Sequence, residues 1–226
     1  MDGTVAITDY GWYDFLRKQE GVEEVNFWTP SAHFAFKGEQ YSPFFFKLKA
    51  QYRHAICGFG FFAKFSRLPD WLAWDAFNTK NGCETLAAMR DRIGTIRDRI
   101  DYHSDRHRNE IGCILIVQPV FFSEDAWIVG PRDWPPANLR HKKYDLTQGE
   151  GLRIWNECMD RTSRSLLPVT NDARQIQQEP RYGAPQLVAP RLGQGTFRVS
   201  VMDAYQRACA VTQEHSLPAL EAAHIQ

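Results

Sequence analysis

The 226-residue chain is short of several things, and each shortage excludes a class of protein. It has no net charge, with 27 basic residues against 27 acidic ones, so it lacks the overall positive excess usual in nucleic-acid binders. It has no long apolar run. The longest, residues 111–122, is broken by Gln118 and Pro119 and is too short to span a bilayer. The N-terminus lacks a basic-then-apolar leader pattern and carries Asp2, Asp9 and Asp14 instead, so a soluble, cytoplasmic protein with no membrane contact is expected. Its five cysteines are odd in number and contain no Cys-x-x-Cys pair, which argues against a disulfide framework or a four-cysteine zinc site. Cys57 and Cys113 sit in strand-like runs and read as buried thiols. No Gly-x-Ser-x-Gly elbow, P-loop lysine or His-Glu-x-x-His helix occurs. No internal repeat is visible.

What is present is a core. Hydrophobic residues make up 43% and aromatics 13%, which a disordered tail does not carry. Residues 12–19 read as a short helix capped by Asp9, and residues 24–28 as a strand. Residues 44–50 and 54–63 read as a hairpin, with a short turn at residues 51–53. Pro69 opens a helix bearing Trp71, Trp74 and Phe77 that stops at Asn81-Gly82, and residues 85–100 form another through Leu86, Met89, Ile93 and Ile96. Strands follow at 111–119 and 127–129, and a helix at 152–159. Near the end, residues 196–209 read as a helix and 220–225 as a strand or turn. Strands interleaved with short helices predict an α+β fold around a small curved sheet or barrel. The stretch 170–181 (TNDARQIQQEPR) reads as a linker.

The zero charge hides an uneven distribution. Residues 41–69 contain no Asp or Glu, yet hold Lys47, Lys49, Arg53, Lys64 and Arg67, with His54 besides. The same stretch carries Tyr41, Phe44, Phe45, Phe46, Tyr52, Phe59, Phe61, Phe62 and Phe65. The compensating acids lie elsewhere: residues 1–26 hold six acidic and two basic residues. Cations interleaved with rings suit phosphates and bases. Strand alternation, with rings in the core and lysines in water, gives the same pattern. A second basic cluster, Arg140-His141-Lys142-Lys143, reads as a solvated loop. Gly58 and Gly60 lie inside a strand, where glycine marks a bulge or a close backbone approach, not a dinucleotide loop. His103 and His107 flank Asp105 in a polar stretch that reads as a loop before it reads as a metal pair.

Two resemblances add to this reading. The segments 193–198 (GQGTFR), 209–212 (CAVT) and 220–225 (LEAAHI) resemble, in order and spacing, the first half of an HNH endonuclease domain of the bacterial restriction type. Gln213 departs from the glycine usual there. The segments Asn26-Phe27-Trp28, 44–48 (FFFKL), 58–62 (GFGFF), Leu72-Ala73-Trp74, Lys80-Asn81-Gly82 and 111–114 (IGCI) resemble the region often fused to such nucleases, a PUA-superfamily domain similar to EVE readers of modified bases. The resemblance implies a reader domain at 1–160, a linker at 161–190 and a partial ββα-metal unit at 191–226.

It implies the DNA-binding module of a modification-dependent restriction endonuclease that binds double-stranded DNA carrying a modified base, with a homodimer as the oligomer to test for. Such readers flip the base into an aromatic pocket. Trp28, Phe46, Phe61 and Trp74 are the candidates for that pocket, Lys47 and Arg53 for phosphates, and Arg191 and Arg198 for further backbone contacts. His224 falls on the general base of the HNH unit, with a divalent metal such as magnesium serving the full-length nuclease. The metal-binding Asn and His of the family would follow Gln226, so no metal is expected in this chain and no cleavage by it. The alternatives are a non-catalytic module for RNA or a modified nucleotide, and an interaction protein using the aromatic hairpin as a dimer surface.

Overall fold

A run of three consecutive phenylalanines, Phe44 to Phe46, determines the layering of this chain. In a strand, neighbouring side chains point to opposite faces, so all three can be buried only if both faces of the sheet are covered. In the computed structural model, which describes residues 1–32, 35–99, 110–135, 139–166 and 192–222, all three are fully buried. Phe44 and Phe46 pack with Trp12, Tyr13 and Leu16 on one face, and Phe45 packs with Ile154 and Cys158 on the other.

The strands are β1 (Asp2–Ile7), β2 (Glu24–Thr29), β3 (Pro43–Lys47), β4 (Ile56–Pro69), β5 (Glu110–Phe121) and β6 (His141–Asp145). The helices are α1 (Tyr10–Arg17), α2 (Asp70–Phe77), α3 (Leu86–Arg99), α4 (Gly149–Leu166) and α5 (Gln194–Ala204). The fold is mixed α+β. Among the described residues the strands form one sheet in the order β2-β5-β4-β3-β1-β6, antiparallel except for the parallel pair β1–β3. The sheet is open, since β2 and β6 lie at its two edges and no pairing joins them; the barrel alternative of the sequence reading is not the form observed.

Local chemistry explains the elements the sequence announced. Asp9 caps α1, its Oδ1 accepting the Trp12 amide at 3.1 Å. The β3–β4 hairpin forms around a 3-10 turn at Ala50–Tyr52. A Cβ on Gly58 would stand 2.3 Å from the Val120 carbonyl oxygen, and one on Gly60 2.4 Å from Ile116 Cγ2. Both glycines are therefore close approaches, and the β4 register shifts between Phe59 and Phe61 and again between Phe62 and Lys64. Residues 127–129 make only an isolated bridge, Ile56 to Ile128. The basic cluster at residues 140–143, expected as a loop, runs into the edge strand β6, where only Tyr144 is buried. Charged side chains on an edge strand cost little and discourage pairing with other chains.

Helices α2, α3 and α5 share one apolar cluster with β4 and β5, which includes Leu72, Met89, Ile93, Val199 and Met202. The segment from residue 192 thus packs on the same core as the first domain. Among residues 192–222 the described elements are α5 and a 3-10 turn at Leu217–Ala219, with no strand. Cys57, Cys83, Cys113 and Cys158 are buried free thiols. Burial pushes the Cys57 thiol well up and the Cys113 thiol up to about 12, which keeps both protonated and inert. No helix among the described residues is long and apolar enough to cross a membrane.

Candidate nucleic-acid interface

Lys47 ends β3 with its side chain directed inward, only 1% of the residue exposed. A buried ammonium is costly unless something holds it. Here Nζ donates to the Leu48 carbonyl oxygen at 3.3 Å, lies 3.2 Å from His54 Nδ1, and sits 4.6 Å from the centroid of the Trp134 ring. None of these partners is a carboxylate. Burial pushes the Lys47 ammonium below the usual lysine range.

Lys47 borders a cavity of about 610 Å³, a size that suits a small ligand or a single nucleotide. Lys49, Arg53, His54, Arg132 and Trp134 contribute to its wall, and no Asp or Glu does. Lys49, Arg53 and His54 come from the β3–β4 turn, and Arg132 and Trp134 from the loop before β6. The two loops meet tightly: a Cβ on Gly130 would lie 2.1 Å from the His54 carbonyl oxygen. The Arg53 guanidinium stacks over Trp127 with 5.6 Å to the ring centroid. Arg132 has an acidic neighbour, Glu150, which accepts its backbone amide at 2.8 Å and lies 3.9 Å from its guanidinium. Among the described residues, Lys47, Lys49 and Arg53 have no carboxylate within salt-bridge distance.

The turn carries strain. Arg53 and His54 have φ of 58° and 53°, consecutive left-handed positions filled by non-glycine residues. Such outliers persist where the surroundings enforce them and are common at binding sites.

The structure distributes the sequence-expected residues differently from the expectation. Lys47 and Arg53 do meet at the cavity. The four aromatics do not. Phe46 is fully buried and packs edge-on against Trp12 and stacked on Phe27 and Phe121. It belongs to the core because β3 lies between two covered faces. Trp28 spends its indole N–H on the Asn81 carbonyl oxygen at 2.9 Å and packs with Trp74 and Phe61 against the α2–α3 cluster. None of the four lines the basic cavity. Replacing Phe46 with alanine is expected to cost about 3–5 kcal/mol in a urea melt. Arg198 pairs with Asp75 at 2.7 Å, which ties α5 to α2. Arg191, His224, His103 and His107 lie outside the described residues.

The segments that carried the reader resemblance turn out to hold the scaffold. Asn26 Nδ2 donates to Asn81 Oδ1 at 2.9 Å, and Asn81 Nδ2 reaches the Ala73 and Asn78 carbonyl oxygens. Gly82, at φ 74°, passes Trp12 so closely that a Cβ would stand 2.2 Å from its Cδ1. The Gly-Gln-Gly of residues 193–195 has a similar reason. The Glu24 carboxylate, fully buried, accepts the Gly195 and Thr196 amides at 2.8 Å each and pairs with Lys80 at 2.9 Å. A Cβ at Gly193 would strike that carboxylate, and one at Gly195 the Ala76 carbonyl oxygen.

Lys49, His54, Arg132 and Trp134 are the site residues that sequence reasoning did not select. Lys49 and His54 lay in the acid-free stretch. Trp134 and Arg132 lie in a proline-rich loop with no periodicity to reveal them. Among the described residues no three His, Cys, Asp or Glu side chains gather as a candidate metal cluster.

No protein-family model matches the chain, and no curated protein does. Among solved structures it is similar to ASCH from Zymomonas mobilis, at 7% identity over 68% of this chain and 94% of that chain, with a TM-score of 0.41. Two single-substitution mutants of that protein match comparably, at TM-scores of 0.41 and 0.40.

Proposed function

We propose that the chain is a nucleic-acid-binding module of PUA-like fold that engages its ligand through the basic cavity face, as the reader part of a modification-dependent, HNH-type restriction endonuclease acting on double-stranded DNA. The observation that carries the binding is the cavity wall: Lys47, Lys49, Arg53, His54 and Arg132 beside Trp134, with no carboxylate among them. Cations there neutralise phosphates and release counterions, and the indole offers a face for a base. The nuclease part of the reading rests on the resemblance of residues 193–225 alone. The base-recognition part rests on Trp134 in place of the four aromatics first considered.

The test is fluorescence anisotropy of the full chain with unmodified DNA, DNA carrying methylated or hydroxymethylated cytosine, and RNA, over a range of salt. The chain is expected to bind, with modified DNA preferred. Changing Lys49 and Arg53 together to alanine is expected to weaken binding about tenfold or more and to flatten the salt slope by about two. Both residues are exposed, so the fold should survive the change. Preference for RNA would favour the non-catalytic alternative. Binding that ignores both substitutions would place the interface elsewhere on the molecule.

A further inference from the structure

We propose that the cavity beside Lys47 is a phosphomonoester site: it takes the terminal phosphate of a nucleotide, held by Lys47, Lys49 and Arg53, with the attached nucleoside against Trp134. This rests on the nucleic-acid binding proposed above, not on its modified-base reading, and goes further by naming the chemical group that enters, a terminal phosphate.

Depth is the first argument. The Lys47 residue is 1% exposed, whereas Lys49, Arg53, His54 and Arg132 are exposed around it. An internal phosphodiester has a sugar on both sides and meets a protein along its surface. To reach a recessed ammonium it would have to carry two chain continuations into the cavity. A terminal phosphate has one continuation and three free oxygens, so it can enter end-on.

Charge is the second. A phosphomonoester carries about −1.5 to −2 at neutral pH, against a single charge on a diester. The site holds three cations without a carboxylate partner among the described residues, a surplus that a dianion satisfies better than a monoanion. The third argument is what now holds Lys47. Its ammonium is surrounded by the Leu48 carbonyl, the His54 ring nitrogen and the Trp134 ring, none of them anionic. An incoming phosphate oxygen would give it a charge-assisted hydrogen bond, the stronger kind.

Volume is the fourth. About 610 Å³ is room enough for one nucleotide. The left-handed Arg53 and His54 fit the same picture, since the strained turn is what brings the guanidinium and the imidazole to the cavity wall.

The same phosphomonoester could come from the end of a strand or from a free nucleotide, and the test separates these. Binding of the full chain is measured with two short oligonucleotides of one sequence, one end-phosphorylated and one end-hydroxylated. Nucleoside monophosphate, nucleoside and inorganic phosphate serve as competitors. The phosphorylated strand is expected to bind about tenfold tighter, and the nucleoside monophosphate to compete where the nucleoside does not. Lys47→Met should erase the difference between the two strands. Arg53→Ala, on an exposed turn, should reduce it without risk to the fold. A strand that outbinds the monophosphate identifies a strand end as the source, and the reverse identifies a free nucleotide. Equal affinity for the two strands overturns the proposal and leaves nucleic-acid binding standing. If inorganic phosphate competes as well as the nucleotide, the role given to Trp134 falls. Failure of both strands to bind removes the broader reading instead.

Discussion

Replacing Lys47 with methionine is expected to make the protein more stable and less able to bind. The ammonium is buried without an anion, so folding must desolvate a charge that its partners only partly repay. Methionine fills similar space with no charge. A gain of about 1–2 kcal/mol is expected, which for a chain of this length raises Tm by roughly 2–8 °C. The effect should depend on pH in one direction. Burial holds the Lys47 ammonium below its unfolded range. The folded state therefore bears the full cost of the charge at pH values below the folded pKa. As pH rises through that value, the lysine deprotonates in the folded protein first and the cost fades. The stability gap between the variant and the parent should be widest near neutrality and narrow in the alkaline range. Thermal melts of both proteins across that range measure it, and a lysine that stabilises the fold would reverse the sign at neutral pH. A stabilising substitution that weakens binding would be the signature of a residue kept for function.

Glu24 should behave in the opposite way. Its carboxylate, itself fully buried, accepts the Gly195 and Thr196 amides at the start of α5 and pairs with the partly exposed Lys80. Glu24→Ala leaves both amides without an acceptor and Lys80 without its partner. Breaking a buried arrangement of this kind costs about 3–5 kcal/mol, so Tm should fall on the order of 10 °C. Amide hydrogen exchange at Gly195 and Thr196 should accelerate more than exchange in the β4–β5 core, because the loss is local to the docking of α5. Burial alone would push the Glu24 carboxyl up, but the hydrogen bonds from Thr196, Lys80 and Gly195 outweigh it and hold the group below the usual carboxylate range. Its contribution to stability is thus fully present above the unfolded carboxylate pKa of about 4.3 and is lost as pH falls through the lower folded value. Acid titration followed at Gly195 and Thr196 should show that loss, and the alanine variant should not.

How far these features could be read beforehand depended on whether they leave a local pattern. The β3–β4 hairpin, α1 with its Asp9 cap, and β5 all carry periodicity or capping chemistry within a few residues, and all appear where the sequence places them. Strand β1 does not. Its Gly3, Thr4 and Ala6 are small, and its stability comes from the neighbouring β3 and β6. Strand β6 reads as a loop because an edge tolerates charge. The aromatic stretch was ambiguous for a definite reason. Alternation shows which residues share a face, but not whether one or both faces are covered. Helix α4 covers the second face, and it comes about a hundred residues later. The cations of that stretch were legible as a binding signal, but the ring that completes the cavity was not, because Trp134 reaches Lys47 only through the tertiary fold. Glu24 was equally silent, one acid in a strand whose partners lie 56, 171 and 172 residues away.

That separation orders events during synthesis. At ribosomal speeds of about 5–20 residues per second, the 171 residues between Glu24 and Gly195 take roughly 10–30 s to emerge. The last strand, β6, ends at Asp145, so the assembled sheet would hold the Glu24 carboxylate answered by Lys80 alone for roughly 3–10 s of that time. The nascent domain would then hold an open acidic socket, and the arrival of residues 193–196 would fill it. Helix α5 would then be the last of these elements to dock, closing the socket over Glu24.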